Sequence, residues 1–534
     1  MRIQVKLVIL LYVLTSISCS KKADYNVMDY GAVSNGIMMN TEAIQKAINE
    51  CHQNGGGKVV IPKGTFLSGT LYMKDNVNLH IEAGAILKGS FSFDDYPDNP
   101  VKYVNSFSYP NGKLFENKAL IFGEGVSNIA ITGQGVIDGS GDSPSFQLGN
   151  DSNPESRKRP CMLLFIDCKN IRVYDLHLRN SAYWLQNYLG CDSLHLKCLT
   201  IYNHTNFNQD ATDIDADNVL IEDCIIDADD DGICLKSHNA DHIVENITVR
   251  NCTISTNCNA VKFGTKSEGG FKNISVSNCI IKKASEDHLR KWQENLEFIE
   301  LPTTVLTGFA LESVDGGIIE NINISDIQMQ DVQTPIFVIM GRRNIGQAGN
   351  PDFYKAREKA LDSTLRAGSV SNLTFRNITA KSHSKMTSSI TAAEGYYVEN
   401  VILENVKIST MGYGTREDAT IPLREYNGSY PENRMYGFAY PSSGFFFRHV
   451  KNLTLNTIDL EVRNEDYRPA IIFDDVHDVK LETISGNAPA GNQALIRVEK
   501  SLGIQISNTQ SDTNVLIEYR GTNKKEVTII QKCE

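Results

Sequence analysis

The chain has 534 residues, of which 41% are hydrophobic and 22% charged, and the formal net charge is −12. This balance excludes wholesale disorder, because disordered chains are poorer in apolar residues. The negative charge argues against nucleic-acid binding, because proteins that bind nucleic acids usually carry a basic face. It also requires that an anionic substrate meet a locally basic cleft, because the overall field repels it.

The N-terminus predicts an export signal. Arg2 and Lys6 come before or at the start of a short apolar stretch, which is too short to span a bilayer, and small residues then precede Cys19. This pattern predicts a lipoprotein signal over 1–18, lipidation of Cys19 and a tether over 19–24. A secreted protein with an unlipidated cysteine is the alternative. We expect a bacterial cell envelope protein, anchored by lipid to either side of the outer membrane or secreted, with no other membrane contact.

A helix is predicted near the start of the mature chain. Asn40 supplies an N-cap residue, Ile44, Ala47 and Ile48 recur at helical spacing, and glycines 55–57 end the segment. A helix here would cover the open end of a stack of strands, whose edge is otherwise prone to aggregation.

A short pattern then recurs: Asn or Asp, an apolar residue, alternation, and an apolar residue six positions after the start. Copies begin at Asn170, Asp192, Asn218, Asn246, Asn273, Asn321, Asn372, Asn400, Asn452 and Asp478. Alternation predicts strands, and one short strand per regular repeat predicts a solenoid. Asn at a corner suits the left-handed conformation of a tight bend. We therefore predict an all-β fold, a right-handed single-stranded parallel β-helix with an N-terminal capping helix. Leucine-rich repeats fit less well, because their leucine consensus is missing.

One solenoid over 25–534 would form a single catalytic domain, with insertions near 283–306, 345–367 and 409–447. The last insertion is rich in aromatic residues, including Tyr413, Tyr426, Tyr430, Tyr436 and Tyr440. Long aromatic loops either wall a carbohydrate cleft or pack on the scaffold.

The twelve cysteines do not suggest a disulfide framework. Cys198, Cys224, Cys252 and Cys279 fall at the sixth position of the repeat, where other copies have aliphatic residues. We expect free thiols stacked in the core, with some bridges as the alternative.

The highest density of candidate catalytic side chains is in a group of aspartates. Asp210 lies on one predicted coil, and Asp230 and Asp231 lie on the next. A one-coil offset stacks side chains about 4.7–4.9 Å apart. Clustered carboxylates raise some pKa values and leave one group protonated, as glycoside hydrolysis requires. Simple capping of turns is the alternative, and it is the preferred interpretation for Asp213, Asp215, Asp217, Asp227 and Asp229. An EF-hand that starts at Asp227 is rejected because its twelfth position is His238.

Several segments resemble glycoside hydrolase family 28, the polygalacturonase family of pectin-degrading β-helix enzymes. YNVMDYGAVSNG and GGGKVVIPKGTFLSG resemble its N-terminal cap and first coils, and NSAYWLQNY resembles its Asn-Ser-x-x-Trp segment. Asn208-Gln209-Asp210 matches its Asn-x-Asp motif, and Asp230-Asp231 matches its Asp-Asp motif. With the N-terminal signal, the resemblance is to a Bacteroidetes-type lipoprotein. It implies that Asp230 is the general acid, that Asp210 and Asp231 activate water, and that the anomeric configuration inverts. It implies no metal and no cofactor.

Two positions depart from the family pattern. Asn259 stands where polygalacturonases have the His of Gly-His-Gly, and Ala310-Leu311-Glu312 stands where they have Arg-Ile-Lys, which grips a uronate. Loss of both cations removes charge-assisted bonds to that uronate, and Glu312 would repel it. A neutral sugar such as rhamnose fits better there. The expected substrate is therefore a rhamnogalacturonan-type oligosaccharide rather than plain homogalacturonan.

The expected substrate-binding residues are Asn208, Trp184, Lys236, Asn259, Lys262 and Glu312. Trp184 either stacks on a sugar or belongs to the core, and Lys236, Lys262 and Lys266 either bind a uronate or are solvated surface residues. We expect a monomer that acts on a pectic polysaccharide or oligosaccharide. Three alternatives stay open: a β-helix polysaccharide lyase, a non-catalytic glycan-binding lipoprotein, and an exo-α-galactosidase on the same scaffold.

Overall fold

The computed structural model describes residues 24–99, 102, 117–147, 158–286, 296–343, 367–425, 430–487, 489–509 and 517–530. Its strands form one stack, in which each strand pairs in parallel with strands of the neighbouring coils. The chain winds as a right-handed parallel β-helix, so the predicted fold is confirmed. The predicted signal, Cys19 and most of the tether lie outside the described residues, as do Tyr426 and parts of the first two insertions.

Most strands of the first half are short, and half of them have five or six residues. They span Asp24–Asn26, Asn35–Met39, Gly57–Ile61, Gly64–Ser68, Leu71–Tyr72, Val77–Ile81, Ala85–Gly89, Ala119–Glu124, Ser127–Gly133, Val136–Asp138, Cys161–Ile166, Lys169–Tyr174, His177–Arg179, Gln186–Lys197, Thr200–Asn203, Thr212–Glu222, Ile225–Ala228 and Ile233–Ser237.

Later strands are longer, because several run through a corner without a break. They span Val244–Arg250, Thr253–Thr256, Asn259–Ser267, Gly270–Lys283, Val305–Ser313, Ile318–Met340, Ser369–Ser382, Ser388–Ala392, Val398–Thr410, Phe445–Val462, Ile471–Gly486, Ile496–Glu499, Leu502–Thr509, Ile517–Arg520 and Val527–Ile530. Short 3-10 turns occupy Val27–Tyr30, Phe93–Asp95, Pro144–Phe146, Asp418–Thr420, Ala490–Asn492 and Lys524–Glu526.

The predicted helix spans Thr41–Gln53 and packs on the first strands. The side chains that it buries in the core are Ile44, Ala47, Ile48 and Cys51. Asn40 precedes it, but its side chain does not cap the helix. That side chain accepts from the Val33 backbone N–H at 2.6 Å and donates to the Met38 carbonyl at 2.8 Å. Asn40 therefore ties the preceding loop together, which corrects the predicted capping role.

Most coils of the repeat place two residues in the left-handed region, five positions apart. In one coil these are Asn273 at φ 56° and Asn278 at φ 50°. An L-residue pays a steric penalty there, and Asn is among the residues that tolerate it best. The asparagines also stack: Asn321 donates to Asn273 at 3.0 Å, and Asn273 donates to Asn246 at 3.4 Å. The ladder links neighbouring corners and continues through Asn372, Asn400 and Asn452.

One copy of the repeat begins a residue later than predicted. Asp192 pairs with Asp217, one residue before the next copy begins, and the left-handed corners of this coil are Ser193 and Cys198. A bulge in the same strand inserts one residue before the corner. Leu199 therefore takes the core position, and Cys198 is exposed, so the prediction of a buried thiol at Cys198 is wrong.

The other three repeat cysteines are buried free thiols on successive coils, as predicted. All ten cysteines among the described residues are free. Cys224, Cys252 and Cys279 line the core beside aliphatic neighbours, where a thiol acts as a small apolar group.

The aromatic insertion covers one outer face of the β-helix. Tyr436 and Tyr440 are buried in a cluster with Ala310 and Phe337 of the underlying strands. Tyr413 and Tyr430 instead keep 55% and 40% of their surface exposed. Both alternatives for the loop therefore apply, to different residues. Among the described residues, no helix has the length and apolarity to span a bilayer.

The asparagine ladder should contribute measurably to stability. Replacing Asn273 by Ala removes two side-chain hydrogen bonds and places a Cβ-bearing residue without polar compensation at φ 56°. We expect a loss of about 1–2 kcal/mol in the free energy of unfolding, measured by urea titration. Asn273→Gly is the matched control, because it loses the same bonds without the steric penalty. A glycine variant at least as unstable as the alanine variant would contradict this account.

Candidate active site

Coil stacking places three polar residues on successive rungs of one face. The backbone N–H of Ala211 donates to the Asp231 carbonyl at 2.9 Å, and that of Gly232 donates to the Asn259 carbonyl at 2.8 Å. Asp210, Asp231 and Asn259 therefore occupy corresponding positions, each just before or at the start of a strand. The one-coil offset brings Asp210 and Asp231 together, as the sequence indicated.

These residues open into a cavity of about 370 Å³. Eight of the nine predicted catalytic and substrate-binding residues line it: Trp184, Asn208, Asp210, Asp230, Asp231, Lys236, Asn259 and Lys262. The remaining lining residues are Cys258, Leu306, Tyr430, Pro431, Glu432 and Asn433. Sequence reasoning noted Tyr430 only as one of several loop tyrosines and missed the three residues after it.

Asp231 is the most heavily bonded carboxylate of the cavity. One oxygen accepts from Lys262 Nζ at 3.0 Å, and the other accepts from the side chain and backbone N–H of Asn259 at 2.7 and 3.2 Å. Burial alone would raise the pKa of Asp231, but the ammonium groups of Lys262 and Lys236 hold it at about 2. Asp231 is therefore ionised across the physiological range.

Asp230 keeps its proton to a higher pH than Asp231 does. Burial, and then the negative charge of Asp231, raise the pKa of Asp230 to about 6. Burial likewise raises the pKa of Asp210 well above its usual value, with further contributions from Asp213 and Asp230. A carboxylate oxygen of Asp231 lies within 4.8 Å of one from Asp210, and also of one from Asp230. The cavity thus places a carboxylate with a lowered pKa beside two carboxyls whose pKa values are raised, which suits acid–base chemistry.

Lys236 lies between an acidic and an aromatic neighbour. Its Nζ is 3.3 Å from Asp213 Oδ1 and 5.6 Å from the ring centroid of Trp184. Trp184 is half-buried, so one part of the indole packs on the scaffold while another lines the cavity. Asp213 is buried and pairs with Lys236. Through this ion pair Asp213 orients the ammonium group of Lys236.

One side of the cavity is formed by Tyr430–Asn433, called the wall below. Lys262 Nζ lies 3.2 Å from the hydroxyl of Tyr430. The Asn433 side chain donates to the Leu306 carbonyl at 3.0 Å, and the Tyr440 hydroxyl donates to the Asn433 carbonyl at 2.9 Å. The wall is therefore held at Tyr430 by Lys262, and at Asn433 by both the β-helix and the buried part of the loop.

Glu312 does not line the cavity. Only 1% of its surface is exposed, and its Oε2 has no hydrogen-bond partner among the described residues. Burial raises the pKa of Glu312 to about 8, although Lys262 opposes this. Glu312 is therefore neutral at pH 7 and buried away from the cavity, so the expectation that it meets and repels a bound uronate is corrected. Lys266 is also outside the cavity lining and forms an ion pair with Glu268.

Two groups at the cavity or directly beneath it have the spacing of metal ligands: Asp210 with Asp231 and Cys234, and Asp230 with Asp231 and Cys258. Burial raises the pKa of both thiols well above the usual value, so each stays protonated and is a poor ligand. Lys262 already neutralises Asp231. The donor set therefore does not favour a metal, and the sequence-based expectation of none stays a prediction.

Glu312 should make stability pH-dependent. Its pKa is raised from 4.5 to about 8 in the folded state, so the protonated form stabilises the fold below pH 4.5, and this contribution is lost as the pH rises to 8. Relative to Glu312→Gln, the wild type should lose about 1.4 kcal/mol per pH unit across that window and no more above it. Urea unfolding of both proteins at several pH values measures this, with exposed Glu399→Gln as control. A difference independent of pH would refute the assignment.

Comparisons with known proteins agree with this geometry. A sequence model of glycosyl hydrolases family 28 matches residues 51–287. A probable polygalacturonase from Vitis vinifera is 25% identical over 282 residues, which cover 50% of this chain and 56% of that protein. An exo-poly-alpha-D-galacturonosidase from Dickeya chrysanthemi is 37% identical over 121 residues, or 22% of this chain and 19% of that protein. The chain thus spans about half or less of the length of these two relatives.

Among solved structures, a Yersinia enterocolitica family 28 exopolygalacturonase superposes with a TM-score of 0.53 at 18% identity. The match covers 93% of this chain and 78% of that one, and it shows a shared fold. The family match includes every residue of the aspartate group, and the fold extends the likeness along most of the chain. Residues 51–287, which include the aspartate group, therefore resemble glycosyl hydrolases family 28 in sequence.

Proposed function

We propose that the protein is an inverting glycoside hydrolase that acts on α-linked, galacturonate-containing pectic glycans. The observation that carries the proposal is the pair of adjacent carboxyls with separated pKa values, about 6 for Asp230 and about 2 for Asp231. A carboxyl with a raised pKa, which can donate a proton, beside an ionised carboxylate is the minimum that glycoside hydrolysis needs. The names of the two curated relatives support a galacturonan as the substrate class.

Each carboxyl has one role in this reaction. Asp230 donates its proton to the leaving glycosidic oxygen, while Asp231, with Asp210 beside it, orients a water and takes its proton. The water attacks the anomeric carbon from the face opposite the leaving group, so the configuration inverts, as the resemblance to family 28 implies. Asn259 and Lys262 keep Asp231 ionised through direct contacts, so Asn259 takes a positioning role in place of the missing His.

The wall suggests action at a chain end. Beyond the coil of Lys262, the face of the β-helix is covered by Tyr436 and Tyr440, which pack on Ala310 and Phe337. A glycan that follows the stacked coils would therefore be stopped at the wall. We propose that the enzyme releases small products from one end of the substrate.

The covered position of Ala310 also supports the rhamnogalacturonan preference. Ala310 is fully buried under the aromatic loop, so this stretch offers no cation to a sugar carboxylate. Because no sugar reaches Ala310, this stretch cannot hold a uronate. A neutral sugar such as rhamnose needs no such cation, whereas a uronate would lose a charge-assisted bond. The ammonium groups of Lys236 and Lys262 line the cavity and can attract a uronate at a different subsite.

The assignment of Asp230 makes a sharp prediction. Asp230→Asn removes the proton donor and should lower kcat by about 10²–10⁴-fold, with little change in KM. Activity is measured as new reducing ends on homogalacturonan, rhamnogalacturonan backbone and side-chain oligosaccharides. Asp241→Asn, in an exposed turn, is the matched control and should leave activity unchanged.

Each alternative has its own outcome in that panel. Full activity of Asp230→Asn would refute the catalytic assignment. An unsaturated uronate product that absorbs in the ultraviolet would identify a lyase, and binding without turnover would identify a non-catalytic protein. Release of galactose from side-chain oligosaccharides alone would favour the α-galactosidase. Faster cleavage of homogalacturonan than of rhamnogalacturonan would refute the proposed preference.

If the wall blocks the cavity at one end, the lengths of the first products should show it. With an oligosaccharide labelled at one end, wild type should release one small product from the first minutes, without intermediates of mixed length. Proton NMR of the first turnovers should show the anomer opposite to that of the cleaved bond. An early ladder of mixed lengths would show internal cleavage and contradict the role proposed for the wall.

A further inference from the structure

A second depression lies outside the catalytic cavity. Residues 413–417 and Glu465, with Tyr467, enclose a volume of about 500 Å³ that shares no lining residue with the cavity. Two tyrosines line it, and Tyr413 is 55% exposed. The proposed hydrolysis makes no use of this place.

Tyr413 has an unusual backbone for its residue type. Its φ is 64°, and among the described residues it is the only Phe, Tyr or Trp with a positive φ. A bulky side chain in this region is strained, and such strain persists where a function depends on it. The ring contributes little burial to offset the strain, because more than half of its surface faces solvent.

The depression is built on a rigid base. The Tyr413 N–H donates to the Glu465 carbonyl at 3.0 Å, and the Tyr467 N–H donates to the Gly414 carbonyl at 2.8 Å. Beneath them, the buried Arg468 guanidinium forms an ion pair with Asp466 at 2.7 Å. The backbone that carries the two tyrosines is therefore held in place before any ligand arrives.

Polar groups surround the aromatic pair. The guanidinium of Arg416 lies 4.6 Å from the ring centroid of Tyr467, which leaves its N–H groups available at the edge. Within the part of the chain that the structure describes, no ion pair engages Arg416, Glu417 or Glu465. Donors and acceptors therefore stand beside an exposed aromatic face, which is the arrangement that binds sugar hydroxyls and the C–H face of a pyranose.

We propose that this depression is a second glycan-binding site, and that it takes neutral pyranose residues. The two carboxylates outnumber the one guanidinium, so the site disfavours a uronate and accepts hydroxyl hydrogens instead. It is linked to the catalytic cavity: Arg468 donates to the Tyr440 carbonyl at 3.1 Å, and Tyr440 donates to Asn433 of the wall. Glycan held here is thus presented beside the loop that closes the cavity.

Binding is tested by titration calorimetry and saturation-transfer NMR on the full chain carrying Asp230→Asn, so that no probe is consumed. The probes are galactotetraose, which is neutral, and trigalacturonate. Tyr413→Gly should weaken galactotetraose binding about tenfold or more while its Tm stays level or rises, because glycine relieves the strain at φ 64°. Arg416→Ala should also weaken it. Tyr519→Ala is the matched control, since Lys524 lies over that ring at 5.6 Å.

Three results would overturn the proposal. One is the absence of galactotetraose binding at about 10 mM, a generous limit for a weak sugar site. Another is galactotetraose binding that Tyr413→Gly and Arg416→Ala leave unchanged. The third is trigalacturonate binding that is tighter and depends on Tyr413, which would contradict the neutral class. Because binding is read without turnover, failure of the hydrolase proposal leaves this test intact.

Discussion

The register of the coil stack is the constraint on which the rest of the structure depends. Each coil must return the chain to the same two left-handed corners, because a slip of one residue would turn core side chains toward solvent. The coil with Ser193 and Cys198 shows how strict this is: a bulge absorbs one extra residue, and the corners still align. The same register that stacks asparagines at the corners stacks Asp210, Asp231 and Asn259 on the functional face.

Stacking acidic residues has an electrostatic cost, and the neighbouring coils supply the compensation. Lys262 and Asn259 bond Asp231 directly, and Lys236 pairs with Asp213. The contacts from Lys262 and Asn259 favour the ionised form of Asp231. Asp230 then meets an adjacent negative charge while it is partly buried, so it retains its proton to higher pH. The separation of the two pKa values follows from position in the stack and requires no external ion.

Much of the fold and of the site could be predicted because both depend on local, repeated signals. The Asn-led repeat fixes the β-helix, and the one-coil offset between Asp210 and Asp231 follows from it. Glu312 could not be placed in the same way, because its burial depends on packing far away in sequence. The wall was missed for the same reason: Asn433 is anchored to Leu306 across a long stretch of chain. The Cys198 error came from a bulge, which leaves no mark in an alternating pattern.

The protonation of Asp230 tests the central claim most directly. Carbon-13 labelling of aspartate carboxyls allows each signal to be titrated by NMR, and the Asp230→Asn variant assigns the signal that disappears. We expect that signal to titrate with a midpoint near pH 6. The signal of Asp231 should keep the chemical shift of an ionised carboxylate down to about pH 2. If the Asp230 signal titrates near pH 4, or Asp231 takes up the proton first, the cavity does not contain the acid and base described above.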